Sequence, residues 1–335
     1  MNLQILSMFK RIFLAGRPVE FLLVFTLMVI ACGDEKKVAD QVANIPVDLK
    51  VFRFDHELAE TTTETFSETK KKYPYLFPAQ YPDSIWIQKL DDTIQIELLD
   101  EVGKAFPNFD TEKEELELLY KHIKYYFPRI NGPKVLTVIS DVDYQNRIIL
   151  TDSLLLIGLD NYLGSDHRFY QGMQGYIGTI LDKRYLNSDV AGAFVTKILN
   201  YPSERTFLSK IVYYGKVLYL KDKLLPLETD AQKIGYSEEQ YEWAQANEEP
   251  VWRYFVEREL LYSTDKELEA RFLDLAPFSK FGLELIDGES PSRIGRYMGW
   301  QIVKAYMDKN ELTPQQLLGI SAEEIFREAN YKPSK

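Results

Sequence analysis

Residues Lys134–Leu159 read KVLTVISDVDYQNRIILTDSLLLIGL, and the fold class turns on this stretch. It holds three short apolar runs, Lys134–Ile139, Arg147–Leu150 and Leu154–Leu159. Turn residues separate them, first Asp141–Asn146 and then Thr151–Ser153. Each run is too short for a helix and carries the branched residues that suit a pleated surface. A fourth candidate strand lies upstream, where Val47–Asp55 (VDLKVFRFD) alternates apolar and charged residues. Together they predict one small mixed sheet in the N-terminal half.

Around that sheet the pattern is helical. Thr61–Lys72 is polar and reads as a surface helix, whereas Pro74, Pro78 and Pro82 make Tyr73–Asp83 an ordered, packed loop. Thr111-Glu112-Lys113-Glu114 matches a capping box, and Leu116, Leu119, Ile123 and Tyr126 keep helical spacing until Pro128. After residue 188 helices dominate. Ser188 reads as the cap of one bearing Val190, Phe194 and Ile198, and Phe207, Ile211, Gly215 and Leu218 mark the next. Others are read at Ser237–Asn247, Glu249–Leu261 and Thr264–Leu275, with two short ones opened by Thr313-Pro314 and Ser321. Ser290-Pro291 opens a helix with Ile294, Tyr297, Met298, Ile302 and Tyr306 on one face. Within it Gly295 and Gly299 stand one turn apart, where a neighbouring element could approach closely. The expected class is α+β, mostly helical, with the small mixed sheet packed by helices.

The amino terminus carries a different message. Lys10, Arg11 and Arg17 precede an apolar run from Phe21 to Ala31, and Cys32, the only cysteine, is followed at once by Gly33-Asp34-Glu35. Basic, apolar and small residues in that order make a secretory leader cut between Ala31 and Cys32. The run is about half the length of a membrane span, which needs about 20 residues. The chain thus divides into a leader at 1–31, a polar tether at 32–46 and a single globular domain at 47–335. Loss of three basic residues and one acidic residue with the leader moves the formal charge from −11 to −13. So acidic a chain repels nucleic acid and anionic headgroups.

A search for catalytic groups returns little. His56, His122 and His167 are far apart, and no pair has the spacing that places two imidazoles on one helical face. Gly172, Gly175 and Gly178 lack the strand and lysine of a phosphate loop and read as a tight turn region. Glu112–Glu115 and Glu248-Glu249 read as solvated helix starts that complement the dipole.

Four segments resemble the gliding-motility lipoprotein GldB family of the Bacteroidetes. They are the leader ending Ala31-Cys32, Val51–Asp55 (VFRFD), Leu155–Gly164 (LLIGLDNYLG) and Pro291–Val303 (PSRIGRYMGWQIV). The resemblance implies an envelope lipoprotein, lipid-modified at Cys32, that is required for gliding and works with the linked secretion apparatus. Its partners would be the membrane, through the lipid, and other gliding or secretion envelope proteins. Its body would face the periplasm.

The same segments are also similar to zincin-type predicted zinc proteases. There a strand like Leu154–Leu159 edges the cleft, one helix carries HExxH, and a glutamate before a glycine completes the metal site. Here the corresponding helix, within Ser188–Leu199, reads DVAGAFVTKIL, and Tyr214 precedes Gly215. That likeness implies a zincin-like fold kept with no metal, cofactor or catalytic residue. Gly158, Asp160, Tyr214, Arg293 and Tyr297 would remain around a degenerate cleft, open to a peptide by strand addition near Ile157. The expectation is a non-enzymatic binding or scaffold protein. An envelope metallopeptidase with a metal site drawn from distant loops is the alternative.

Overall fold

A computed structural model describes residues 37–334. The leader, Ala31 and Cys32 lie outside the described residues. The chain divides into two compact units at Pro46/Val47. In the first, part of the expected tether is helical over residues 37–43, where Ala39, Gln41 and Ala43 are good helix formers. It is closed by the Ile45 N–H donating to the Val42 carbonyl at 3.0 Å.

The second unit contains the sheet: β1 Val51–Arg53, β2 Lys134–Val138, β3 Ile148–Leu150 and β4 Leu154–Gly158, in the order β1-β2-β4-β3. β1, β2 and β4 run parallel, with Val51 opposite Val135 and Val135 opposite Leu155. β3 folds back antiparallel on β4 through the Thr151–Ser153 turn, in which the Thr151 hydroxyl accepts the Leu154 N–H at 3.0 Å. Val135, Leu155 and Ile157 point into one core, and Leu136 and Leu156 into another built on Phe54, Phe66 and Phe77. Two covered faces explain the unbroken apolar run of β4. One expectation fails here. Ile157 is paired to Thr137 on one side and to Ile148 on the other, so β4 is an inner strand closed to strand addition.

The principal helices are α1 Phe54–Ala59, α2 Thr93–Ala105, α3 Asp110–Tyr126, α4 Leu186–Ile198, α5 Phe207–Leu224, α6 Glu248–Glu257, α7 Ile294–Met307 and α8 Ala322–Ala329. The expected strand at Val47–Asp55 stops at Arg53, because Asp55 turns inward. Its buried carboxylate takes Arg53 Nε at 3.0 Å and Nη2 at 2.6 Å, together with the Thr137 hydroxyl of β2. Three expected caps are also displaced. α3 begins at Asp110 on buried Phe109, with no side-chain cap from Thr111. α4 begins at Leu186, two residues before Ser188, whose buried hydroxyl donates to the Lys233 carbonyl at 3.1 Å. Ser290 donates to Ser279 and Asp287 carbonyls, and α7 starts only after Arg293, which is left-handed at φ +62°. For Ser188 and Ser290 a tertiary carbonyl takes the hydroxyl in place of the local cap. The caps at Ser237, Thr313 and Ser321 are as read, each accepting the N–H three residues on.

α5 is buried nearly all round, as befits a central helix. α7 crosses it at Gly215 and Gly299, where a Cβ on Gly299 would overlap the Ile211 carbonyl and one on Gly215 would overlap the backbone of Gly299. The reading of Gly299 as a point of close approach is therefore met at the backbone itself. Gly295 serves the same end, since its Cβ would stand 2.9 Å from Leu273 and 3.0 Å from the Phe272 carbonyl. Trp300, Phe255, Phe272 and Tyr297 fill the core around this crossing. No helix among the described residues is long and apolar enough to cross a membrane.

Candidate functional site

The histidines stay apart. His56 Nε2 accepts from Arg53 Nη2 at 2.7 Å, and His167 Nε2 lies 3.3 Å from Glu101. His122 is buried on α3 with Nδ1 unpartnered. Among the described residues no three His, Cys, Asp or Glu side chains are grouped to hold a metal ion.

The five residues expected around a degenerate cleft fall into three places. Gly158 and Asp160 anchor a loop at the end of β4. The Asp160 carboxylate accepts the N–H of Ser140 at 3.0 Å and of Val142 at 2.6 Å, holding Asp141 and Val142 in left-handed conformations at φ +56°. A branched residue seldom adopts that conformation unaided. Gly158 leaves the room, because a Cβ there would lie 2.9 Å from the Ser140 hydroxyl. Burial pushes the Asp160 carboxyl above the usual range, although these N–H groups act the other way.

Tyr297 belongs to a second cluster. Its hydroxyl donates to Glu248 Oε2 at 2.8 Å, while Tyr331 and the Ser334 N–H donate to Oε1 at 2.6 and 2.9 Å. Glu248 is therefore buried under the C-terminal segment, which corrects its reading as a solvated helix start. Glu249 does stay outside and pairs with Arg253 on the same helix.

Tyr214 and Arg293 do meet, in a cavity of about 170 Å³ bounded by α4, α5 and the turn into α7. Arg147, just before β3, grips Asp189 of α4 with Nε and Nη2 at 2.6 and 2.8 Å, and the Tyr162 hydroxyl adds a bond at 2.9 Å. Lys221 of α5 donates to Ser188 Oγ and to the Lys233 carbonyl, both at 2.9 Å. Arg293 Nη2 donates to the Gly235 carbonyl at 2.7 Å, but its buried Nε has no partner. Arg296 donates to the Leu273 carbonyl at 2.6 Å, and its guanidinium lies 3.9 Å above the Tyr214 ring.

Leaving aside Lys233, which pairs with Asp222 and Asp230, four cations thus face one carboxylate. Burial pushes Lys221 down to about 8 against the pull of Asp189, and Arg293, Arg296 and Arg147 push the same way. Burial and then Arg296 lower Arg293 to about 10. Burial also opposes the charge of Arg147, yet Asp189 holds that pKa above the ordinary arginine value. The pair Ser188–Lys221 has the spacing of a nucleophile and its base. Its geometry is wrong for that role, since Ser188 is buried and turns its proton to the Lys233 carbonyl. The arrangement is suited to holding negative charge.

Of these residues, sequence reasoning singled out Tyr214 and Arg293 but missed Arg147, Asp189, Lys221 and Arg296. The one local signal is the three-residue spacing of Arg293 and Arg296, which places both at the same helix end. A second, larger concavity of about 470 Å³ lies against the outer sheet face, walled by Phe54, Phe77, Trp86, Val138 and Leu156. It is mainly apolar and offers no comparable chemistry.

A family model described as gliding motility protein GldB matches residues 35–333, nearly the whole chain. No curated protein and no solved structure matches it.

Proposed function

Because the chain belongs to the gliding motility protein GldB family, we propose that it is a lipid-anchored, non-enzymatic envelope component that binds or scaffolds other parts of the gliding and secretion apparatus. The family match carries the role in gliding. The leader ending at Ala31-Cys32 supports the anchor, and a body attached this way faces the periplasm. Two or more acyl chains on Cys32 give stable attachment where one chain alone is marginal. Helix α4 presents neither histidine nor glutamate, and Tyr214 stacks under Arg296, which supports binding over metal-dependent cleavage.

Cys32→Ala is the direct test of the anchor. The variant should incorporate no labelled fatty acid, leave the membrane fraction and fail to support spreading on agar. Normal gliding by an unlipidated chain sinks the proposal. Metal analysis of the purified protein tests the second half, with zinc expected well below one per chain. One tightly held zinc per chain, removed only by chelator, would return the reading to a peptidase.

A further inference from the structure

The basic cavity contains more fixed positive charge than its own groups neutralise. Asp189 accepts two bonds from Arg147 and one from Tyr162. What remains is Lys221, Arg293 and Arg296, whose hydrogen-bond partners are carbonyls and one serine hydroxyl. Those are dipoles and carry no countercharge. Lys233, which also borders the cavity, is answered by Asp222 and Asp230 at 3.2 and 3.0 Å and adds no excess. Charges withdrawn from water are normally paired. Asp189 offsets Lys221 and Arg293 only in part, as Asp274 does Arg296. The hydrogen bonds of Lys221 and Arg293 go to no carboxylate, so the remaining positive charge calls for an anion from outside.

We infer that this cavity is a binding site for a phosphate group, held by Arg293 and Lys221 with Arg296 behind them. The unpartnered Nε of Arg293 supplies the free donor. Lys221 spends two of its three N–H bonds within the protein and keeps one. Guanidinium groups recognise tetrahedral oxyanions through paired N–H donors, and an ammonium contributes a point charge. About 170 Å³ admits a phosphate or a small phosphomonoester with water, and falls short of the ~300–1,000 Å³ of drug-sized ligand sites. Burial is the first cause of the lowered pKa values of Lys221 and Arg293, and repulsion from the neighbouring arginines adds to it; a bound anion would relieve that repulsion. This site does not depend on the lipid anchor, so either idea can fail alone.

The test titrates inorganic phosphate into the purified full-length protein in detergent, at constant ionic strength set with chloride, and follows thermal unfolding. Saturable stabilisation by phosphate above that by chloride is expected. Arg293→Gln and Lys221→Met should each weaken apparent phosphate affinity at least tenfold, whatever small change in phosphate-free melting temperature follows from relieved repulsion and the lost bonds to Gly235, Ser188 and Lys233. A purely structural role for either residue would instead lower that temperature and keep the phosphate response. Glycerol phosphate in place of phosphate separates the sources: tighter binding assigns a phosphoester, weaker binding the free ion. A wild-type protein that melts identically in phosphate and chloride overturns the inference, as does an undiminished phosphate response in both variants.

Discussion

Gly299→Ala should leave little folded protein. The new Cβ would enter the space of the Ile211 carbonyl on α5, and the facing Gly215 leaves no slack because its own hydrogen stands against Gly299. Flexible side chains can move aside, but here the obstacle is the backbone of a helix buried on nearly every side. Overpacking a core costs about 1–3 kcal/mol when side chains can adjust. A clash of two helix backbones belongs at or above the top of that range, a large share of the ~5–15 kcal/mol that holds a domain together. Urea unfolding of the variant should show a much lower midpoint, or no cooperative transition. Gly103→Ala on α2 is the control. Nothing lies within 4 Å of a Cβ there, so the helix should gain about 0.5–1 kcal/mol. If both variants unfold alike, the crossing is looser than the contact implies.

The second large effect is expected at Asp55. Its carboxylate joins Arg53 at the end of β1 to Thr137 on β2, and Arg53 Nη2 reaches on to the Phe106 carbonyl at 2.9 Å. Asp55→Asn removes the charge in a buried setting and should cost about 3–5 kcal/mol at neutral pH, as for other broken buried pairs. The sign of the pH dependence follows from the direction of the shift. Burial alone would raise the Asp55 carboxyl, but bonds from Arg53 and Thr137 bring it below the ordinary aspartate value. Its contribution is therefore complete above the unfolded pKa, about 3.9, and is lost as pH falls through the lower folded value. Urea midpoints compared from pH 7 down to pH 3 should show the gap between wild type and Asp55→Asn narrowing at the acid end. A gap that stays constant with pH would assign the loss to packing and not to the charge.

The two residues also explain why VFRFD was recognisable as a family signature. Arg53 and Asp55 are an ion pair two residues apart that stops β1 and starts α1. PSRIGRYMGW is likewise mostly architecture: Gly295 and Gly299 admit neighbouring backbone, Tyr297 pins Glu248, and Trp300 donates to Asp222 at 2.8 Å. LLIGLDNYLG supplies β4 and then the Asp160 anchor. A motif can mark a family because it fixes how elements meet. α2 is hard to see in the sequence although its cap is plain, with Asp92 accepting from Ile94 and Gln95. Its exposed Ile94 and Ile96 blur the apolar stripe that Leu98 and Val102 make.

The order of residues along the chain was enough to set the short strands, most helix spans, the acidic balance and the family, because each depends on neighbours within a few turns. Tertiary structure alone decided that β4 lies inside the sheet, that Ser188 and Ser290 serve distant carbonyls, and that Glu248 is covered by the C-terminal segment. It also decided which charges meet. Arg147, Asp189, Lys221 and Arg293 stand on four separate elements, and only their shared burial turns four ordinary charged residues into one electropositive cavity.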